Sequence, residues 1–332
     1  MTETRSAKLS DPLAQIRALV AEDFSAVDKL IDARLYSEVA LIGQMSQYII
    51  GSGGKRLRPL VALLSAKALD YSGPHHVDVA VIVELIHTAT LLHDDVVDSS
   101  KLRRGRETAN LVWGNQASVL VGDFLYSRAF QMMVDIQTPG IMDVIADATN
   151  TIAQGEVNQL VNCRNPDTTE GQYLRIIHDK TAKLFEAAAM LGAQVSQQNS
   201  DMESTFGAYG RHVGTAFQLV DDALDFSASP EELGKNIGDD LAEGKPTLPL
   251  LYAMWQGNPE QADTVRTAIV EGGVQHIDDI MAAIESTGAI EYTLSRARSE
   301  SEKAINALKK VPASPYRDGL LSLAEFAVDR RS

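Results

Sequence analysis

Apolar residues recur at i, i+3 and i+4 along almost the whole chain, whereas alternating runs rich in β-branched and aromatic residues are scarce. The pattern predicts helices throughout and an all-α fold. Gly and Pro interrupt it at Gly51 to Gly54, Gly73-Pro74, Pro139-Gly140, Pro166, Pro230, Gly244 to Pro246, Gly257 to Pro259 and Pro312, giving roughly ten or more helices of ordinary length. Asp11 before Pro12 reads as the first helix start, and residues 1–12 as a loose N-terminal segment. From Val77 to Val97 the residues are apolar on nearly every side, with Glu84 and His87 the main interruptions, which places this helix centrally in a bundle. The stretch from about Gln261 to Asp329 is more polar and regularly amphipathic, and is expected to pack outside any site as closing helices. No linker, fixed-period repeat or low-complexity segment is visible, so one domain over residues 1–332 is expected.

Two of the apolar stretches end in acids of identical spacing. Asp94, Asp95 and Asp98 close LLHDDVVD, and Asp221, Asp222 and Asp225 close FQLVDDALD about 125 residues later. On a helix the first and last Asp of each cluster are i and i+4, so they share a face and can offer oxygens to one hard cation. Like charges at that spacing cost a helix roughly 0.2–0.5 kcal/mol per pair, and burying carboxylates beside Leu91, Leu92, Val96 and Val97 costs far more unless a cation compensates. Mg²⁺ suits such a site because it takes few carboxylates per ion and completes its shell with water and phosphate oxygens. The alternative, a solvated acidic helix end, explains one such cluster better than two.

The 332 residues are 45% hydrophobic and 23% charged, an ordinary globular balance, with a formal charge of −15 that argues against nucleic acid or an anionic membrane as a partner. A phosphorylated substrate therefore needs local Lys, Arg and metal. Cys163 is the only cysteine, which excludes an intrachain disulfide and fits a reducing cytoplasm. The first twenty residues mix charges and lack a signal-peptide core, and no run reaches 18 uninterrupted apolar residues, so no transmembrane segment is expected.

Cations cluster near these acids. Gly51 to Pro59 reads GSGGKRLRP, placing Lys55, Arg56 and Arg58 just after a glycine turn whose backbone N–H groups can also face an anion. It lacks the spacing of a P-loop. Arg103-Arg104-Gly105 follows Asp98 closely, and planar guanidinium groups suit phosphate oxygens. His87 lies two turns before Asp94 on the same face, whereas His93 points elsewhere. Lys180-Thr181 opens another apolar helix; Lys235, Asp239, Asp240 and Lys245 follow the second cluster. Asp278 and Asp279 lack both a partner acid and a basic motif and are read as surface.

GGKRLRP, HTATLLHDDVVD, RRG, KT, FQLVDDALD and GKNIGDDLAEGKPTLPL, in this order, resemble the motifs of trans-prenyl diphosphate synthases. The resemblance implies an isoprenoid-synthase fold, mostly antiparallel helices around a deep central cavity, in a cytoplasmic homodimer. It implies successive condensation of isopentenyl diphosphate onto an allylic diphosphate such as farnesyl diphosphate, giving an octaprenyl product for a quinone side chain. Carried across by motif, Asp94, Asp98 and Asp221 would hold a cluster of about three Mg²⁺ ions, or Mn²⁺ in their place, with Asp95, Asp222 and Asp225 in support. Arg103, Lys180, Thr181, Gln218 and Lys235 would contact the allylic diphosphate, and Lys55, Arg58, His87 and Arg104 would hold isopentenyl diphosphate. A terpene cyclase of this fold would lack the second-substrate residues, and a silent partner subunit would not need both complete acid clusters.

Ala89 and Thr90 lie about one turn, roughly 6 to 7.5 Å, below Asp94. Short-chain members of the family carry bulky aromatics there, so a growing tail is expected to pass down this face toward Ile86, Val83 and Ile82. The segment with Phe130, Met132 and Met133 is the candidate floor.

Overall fold

The computed structural model describes residues 11–227, 238–272 and 275–330. Lys235 and Pro230, singled out above, lie outside the described residues. The elements are helices α1 (Pro12–Ala18), α2 (Ala21–Arg34), α3 (Ala40–Gly51), α4 (Leu57–Lys67) and α5 (His75–Val97), a two-residue hairpin β1 (Leu102–Arg103) and β2 (Arg106–Glu107), then α6 (Ala109–Trp113), α7 (Asn115–Ile136), α8 (Pro139–Asn162) and α9 (Glu170–Ile177). A π-helical turn (His178–Ala182) leads into α10 (Lys183–Val195) and α11 (Ser200–Leu224). After the second acid cluster come α12 (Asp239–Ala242), α13 (Leu248–Gln256), α14 (Pro259–Glu271), α15 (Ile277–Thr287), α16 (Ala289–Ala307) and α17 (Pro315–Asp329).

Local chemistry explains several boundaries. Asp11 caps α1 by accepting from the Leu13 N–H at 3.1 Å, and Pro12 takes the first helical position. The helix thus begins inside the segment expected to be loose. Thr169 with Gln172 and Asn258 with Gln261 form reciprocal capping boxes at α9 and α14. The hairpin turns at Arg104 and Gly105, whose φ values of 53° and 73° are those of a tight type I′ turn.

α5 is the axis of the bundle, with Val79 to Ile86 fully buried apart from a trace at Glu84. α2, α4, α7 and α10 pack around it, and α11 lies between α10 and α16. By length and composition α5 could cross a membrane, but most of it is covered by these neighbours, as befits a core helix. Each fully buried Leu or Ile contributes about 1.5–3 kcal/mol, so this column anchors the acidic end of α5. A second core of Phe226, Leu241, Leu250, Val265, Ile269 and Ile284 backs the other acid cluster. Close approach of helices matters at the π turn, where a Cβ on Gly214 would lie 2.6 Å from Ala182 Cα and one on Gly155 would lie 2.7 Å from the Lys180 nitrogen.

Candidate active site

The two acid clusters end α5 and α11, and each acid is held differently. Asp95 is fully buried and accepts from Arg103 Nε at 2.9 Å and Nη2 at 2.7 Å. Asp98 accepts from Lys245 Nζ at 2.9 Å, and Asp221 pairs with Arg330 Nη2 at 2.7 Å. Asp222 is buried, with Oδ2 accepting from the Tyr173 hydroxyl at 2.5 Å and Oδ1 from Gln218 Nε2 at 2.7 Å. Asp225 is also buried and receives the Asp240 N–H at 3.3 Å. Asp222 and Asp225 therefore brace the cluster, Asp94 is half-buried, and Asp98 and Asp221 keep side-chain exposures of 21% and 40%.

Burial raises one acid of each cluster alike. Burial pushes the Asp94 carboxyl up to about 7, with Glu156 and Asp98 adding to it against the opposing charge of Lys180. Burial, then Asp240, pushes Asp222 up to about 8 despite its two hydrogen bonds. Burial works against the charge of Lys245, yet Asp240, Asp98 and Glu243 hold it protonated above its ordinary range. Among the described residues, no three carboxylates, imidazoles or thiols are already gathered as a formed metal centre. The donor set nevertheless fits a hard divalent cation: every candidate ligand is a carboxylate, and the buried Asp95 Oδ2 has no hydrogen-bond partner among the described residues.

Lys180 and Thr181 sit in the π turn, a geometry often found at functional sites. Lys180 Nζ reaches Glu156 at 2.7 Å and Gln159 at 2.6 Å on α8, and Thr181 donates to Gln218 at 3.0 Å. Lys180, Thr181, Gln218, Asp222, Asp240 and Lys245 line one cavity of about 110 Å³. Behind the turn, Glu186 binds Lys183 at 2.8 Å and Arg211 at 2.9 Å, with His178 at 3.4 Å.

The other basic motifs meet around His87, two turns before Asp94 on α5. Arg58 Nη1 lies 3.2 Å from His87 Nε2. Arginine can only donate, so Nε2 accepts and the imidazole is neutral. Burial, then the charges of Arg58, Arg104 and Arg103, holds His87 well below its ordinary range, in agreement. Arg104, at the hairpin tip, folds onto the glycine turn and donates to the Gly53 carbonyl and, at 3.5 Å, to Ser52 Oγ. A Cβ on Gly54, at φ 140°, would lie 2.7 Å from that guanidinium and displace it. Lys55 faces the Phe326 ring at 5.9 Å. Arg58 stacks on Phe185 at 4.4 Å, Phe185 meets Phe217 at 5.8 Å, and Arg330 covers Phe217 at 3.7 Å. This ladder joins the basic pocket to Asp221.

Ala89 is fully buried and Thr90 half-buried, its hydroxyl returned to the His87 carbonyl at 2.8 Å. Ile82, Val83 and Ile86 are fully buried below them, as are Met132 and Met133 on α7 to within 2%. Phe130 is 41% exposed and faces outward, so it is no part of a floor. Met132 and Met133 fall within the buried arc of α7 that Leu125, Ala129 and Ile136 define, whereas residue 130 lies about 60° beyond 133 on the helix and outside that arc.

Sequence reading missed Arg330, Tyr173, Glu156 and Gln159. Arg330 also corrects the picture of the last helices as merely external: α17 ends at the site. Glu156 and Gln159, i and i+3 on α8, carried a signal in their shared helix face. Arg330 and Tyr173 carried none.

The chain matches the family model described as polyprenyl synthetase over residues 39–287. It is 51% identical over 319 residues to octaprenyl diphosphate synthase of Escherichia coli strain K12, covering 96% of this chain and 99% of that protein. It is 46% identical over 316 residues to the geranyl-diphosphate-specific all-trans-nonaprenyl-diphosphate synthase of Rhodobacter capsulatus, covering 95% and 97%. The fold superposes with a TM-score of 0.93 and 42% identity on a polyprenyl synthase from Caulobacter crescentus CB15, complexed with calcium and isoprenyl diphosphate, covering 98% of this chain and all of that one.

Proposed function

This chain belongs to the polyprenyl synthetase family, and from that premise we propose that it is a long-chain trans-prenyltransferase that adds isopentenyl diphosphate repeatedly to an allylic diphosphate, with an octaprenyl product for quinone side chains. The observation that supports the reading is the presence of two charged groupings: an acid-and-lysine mouth of Asp98 on Lys245, which lines one cavity with Lys180, Thr181 and Gln218, and a basic pocket of Arg58, His87 and Arg104 to which Lys55 is assigned. Two diphosphates require two such sites. A cyclase needs only the first.

Asp94, Asp98 and Asp221 would hold Mg²⁺, which supplies positive charge to the diphosphate that leaves. A solved relative is described with calcium and isoprenyl diphosphate, which supports a divalent ion here. Lys180, Thr181, Gln218 and Lys245 orient the allylic diphosphate, and Lys180 and Lys245 stabilise charge as it develops on the leaving group. Arg103 serves from behind, through Asp95. The Arg58, Arg104 and Lys55 charges hold isopentenyl diphosphate with its alkene toward the allylic carbon, and neutral His87 offers its Nδ1 hydrogen to an oxygen. The apolar column below Asp94 excludes water and guides the tail past Ala89 and Thr90, with Met133 at the far side. Product length follows from these small residues together with octaprenyl and nonaprenyl relatives.

The enzyme works as a homodimer in the cytoplasm in this reading. Leu120, Val134, Val157, Leu160 and Val161 on α7 and α8 are 61–72% exposed, an apolar surface of the kind that pairs with a second copy. Pyrophosphate release measured with farnesyl diphosphate alone, isopentenyl diphosphate alone and both together tests the reaction: release only with both supports it, and release from the allylic substrate alone indicates a cyclase.

A further inference from the structure

Glu84 is buried to 8% exposure on α5, one turn below His87, within the basic pocket. Arg56 Nε stands 3.8 Å from its Oε1, and Oε2 has no hydrogen-bond partner among the described residues. Its neighbours Val83 and Leu85 are fully buried and apolar. Burial raises the Glu84 carboxyl, while the charges of Arg56, Arg58 and Arg104 oppose that rise. A negative charge beneath three guanidiniums weakens their hold on an anion, and the low local dielectric magnifies the effect. A purely structural residue here would cost less if it were neutral.

The chemistry of repeated condensation supplies a use for this weakening, on the premise that the proposed function holds. The allylic C1–O bond breaks with its electron pair going to pyrophosphate, and the alkene π pair forms the new C–C bond. A proton passes to the departing pyrophosphate, and its C–H pair becomes the new double bond. The extended chain therefore carries the diphosphate that entered as isopentenyl diphosphate, and that group still lies in the basic pocket. Before the next cycle it must move to the acid-and-lysine mouth. We propose that Glu84 is a positioning residue that moderates the basic pocket, so that the diphosphate of each extended chain is released to the mouth. Affinity for the incoming substrate is given up for turnover, as differential binding requires.

The test is Glu84→Gln, which keeps the shape and removes the charge. Calorimetry on metal-free protein reads the basic pocket alone: isopentenyl diphosphate is expected to bind about three- to tenfold more tightly. Steady-state assays with metal are expected to show a fall in KM for isopentenyl diphosphate together with a fall in kcat, and stronger competitive inhibition by inorganic pyrophosphate. Arg56→Gln is the mirror variant and is expected to weaken metal-free binding. Asp28→Asn removes an exposed acid that also pairs with Arg56 and is expected to leave binding within about twofold, because solvent screens it. Weaker binding in Glu84→Gln, or unchanged binding, overturns the inference and makes Glu84 a simple anchor for the arginines. Lack of condensation by the unmodified protein overturns the functional premise instead. Should Glu84→Gln not fold, tighter binding in Arg56→Gln contradicts the proposal independently.

Discussion

Lys245 Nζ lies 2.9 Å from Asp98 Oδ2 although 147 residues separate them in sequence. The contact ties the segment after the second acid cluster to the first. Asp221 on Arg330 and Asp95 on Arg103 repeat the arrangement, so protein cations stand where carboxylates would otherwise repel. In the proposed reaction, replacing Lys245 by Met removes a charge directed at the leaving diphosphate. A fall in kcat of about ten- to a hundredfold is expected, with unchanged helix content by circular dichroism; an unchanged kcat would make Lys245 a structural tie only.

Asp94→Ala is expected to lower turnover by at least about a thousandfold, since it removes a carboxylate from the proposed metal-binding face. Thermal stability of the metal-free protein should be equal or higher, because burial and the nearby Glu156 and Asp98 already oppose the Asp94 charge. Near-normal turnover would remove Asp94 from the site.

Ala89→Phe places an aromatic ring in the column one turn below Asp94. Products are expected to shorten toward farnesyl or geranylgeranyl length by chromatography. The site is fully buried, so a stability loss of about 1–3 kcal/mol should accompany the change. An unchanged product ladder places the tail elsewhere.

Arg104→Ala should raise KM for isopentenyl diphosphate about tenfold or more while leaving KM for the allylic diphosphate within about threefold. The reverse pattern exchanges the two substrate sites.

Glu186 gives a pH dependence with a defined sign. Burial works to raise its carboxyl, but hydrogen bonds from His178, Lys183 and Arg211 pull it from 4.5 down to about 2. A depressed carboxylate stabilises the fold fully above its unfolded value, and that contribution is lost as pH falls from 4.5 toward 2. The contribution is at most roughly 3 kcal/mol, and Asp147, paired with Lys183, shares in the network. Acid unfolding of Glu186→Gln should be shallower than that of the unmodified protein in this window; parallel curves would show that the network carries no charge coupling.

Much of this was legible in sequence because it rests on local periodicity. The two acid clusters, the apolar length of α5 and the breaks at Gly73-Pro74 and Pro139-Gly140 follow from one-dimensional spacing. The union of Arg104 with the Gly53 turn was legible only as two separate motifs, since a hairpin of two-residue strands leaves no alternation to read. Tyr173 and Arg330 acquire their roles from tertiary approach to Asp222 and Asp221, which no spacing encodes. Phe130 failed as a floor because hydrophobicity names a core residue without naming the face it occupies.

The most direct test incubates purified protein with labelled isopentenyl diphosphate, farnesyl diphosphate and Mg²⁺, then sizes the dephosphorylated products by chromatography. The account predicts an all-trans ladder ending at octaprenyl length and stoichiometric pyrophosphate. A cyclic hydrocarbon, or no elongation under these conditions, contradicts it.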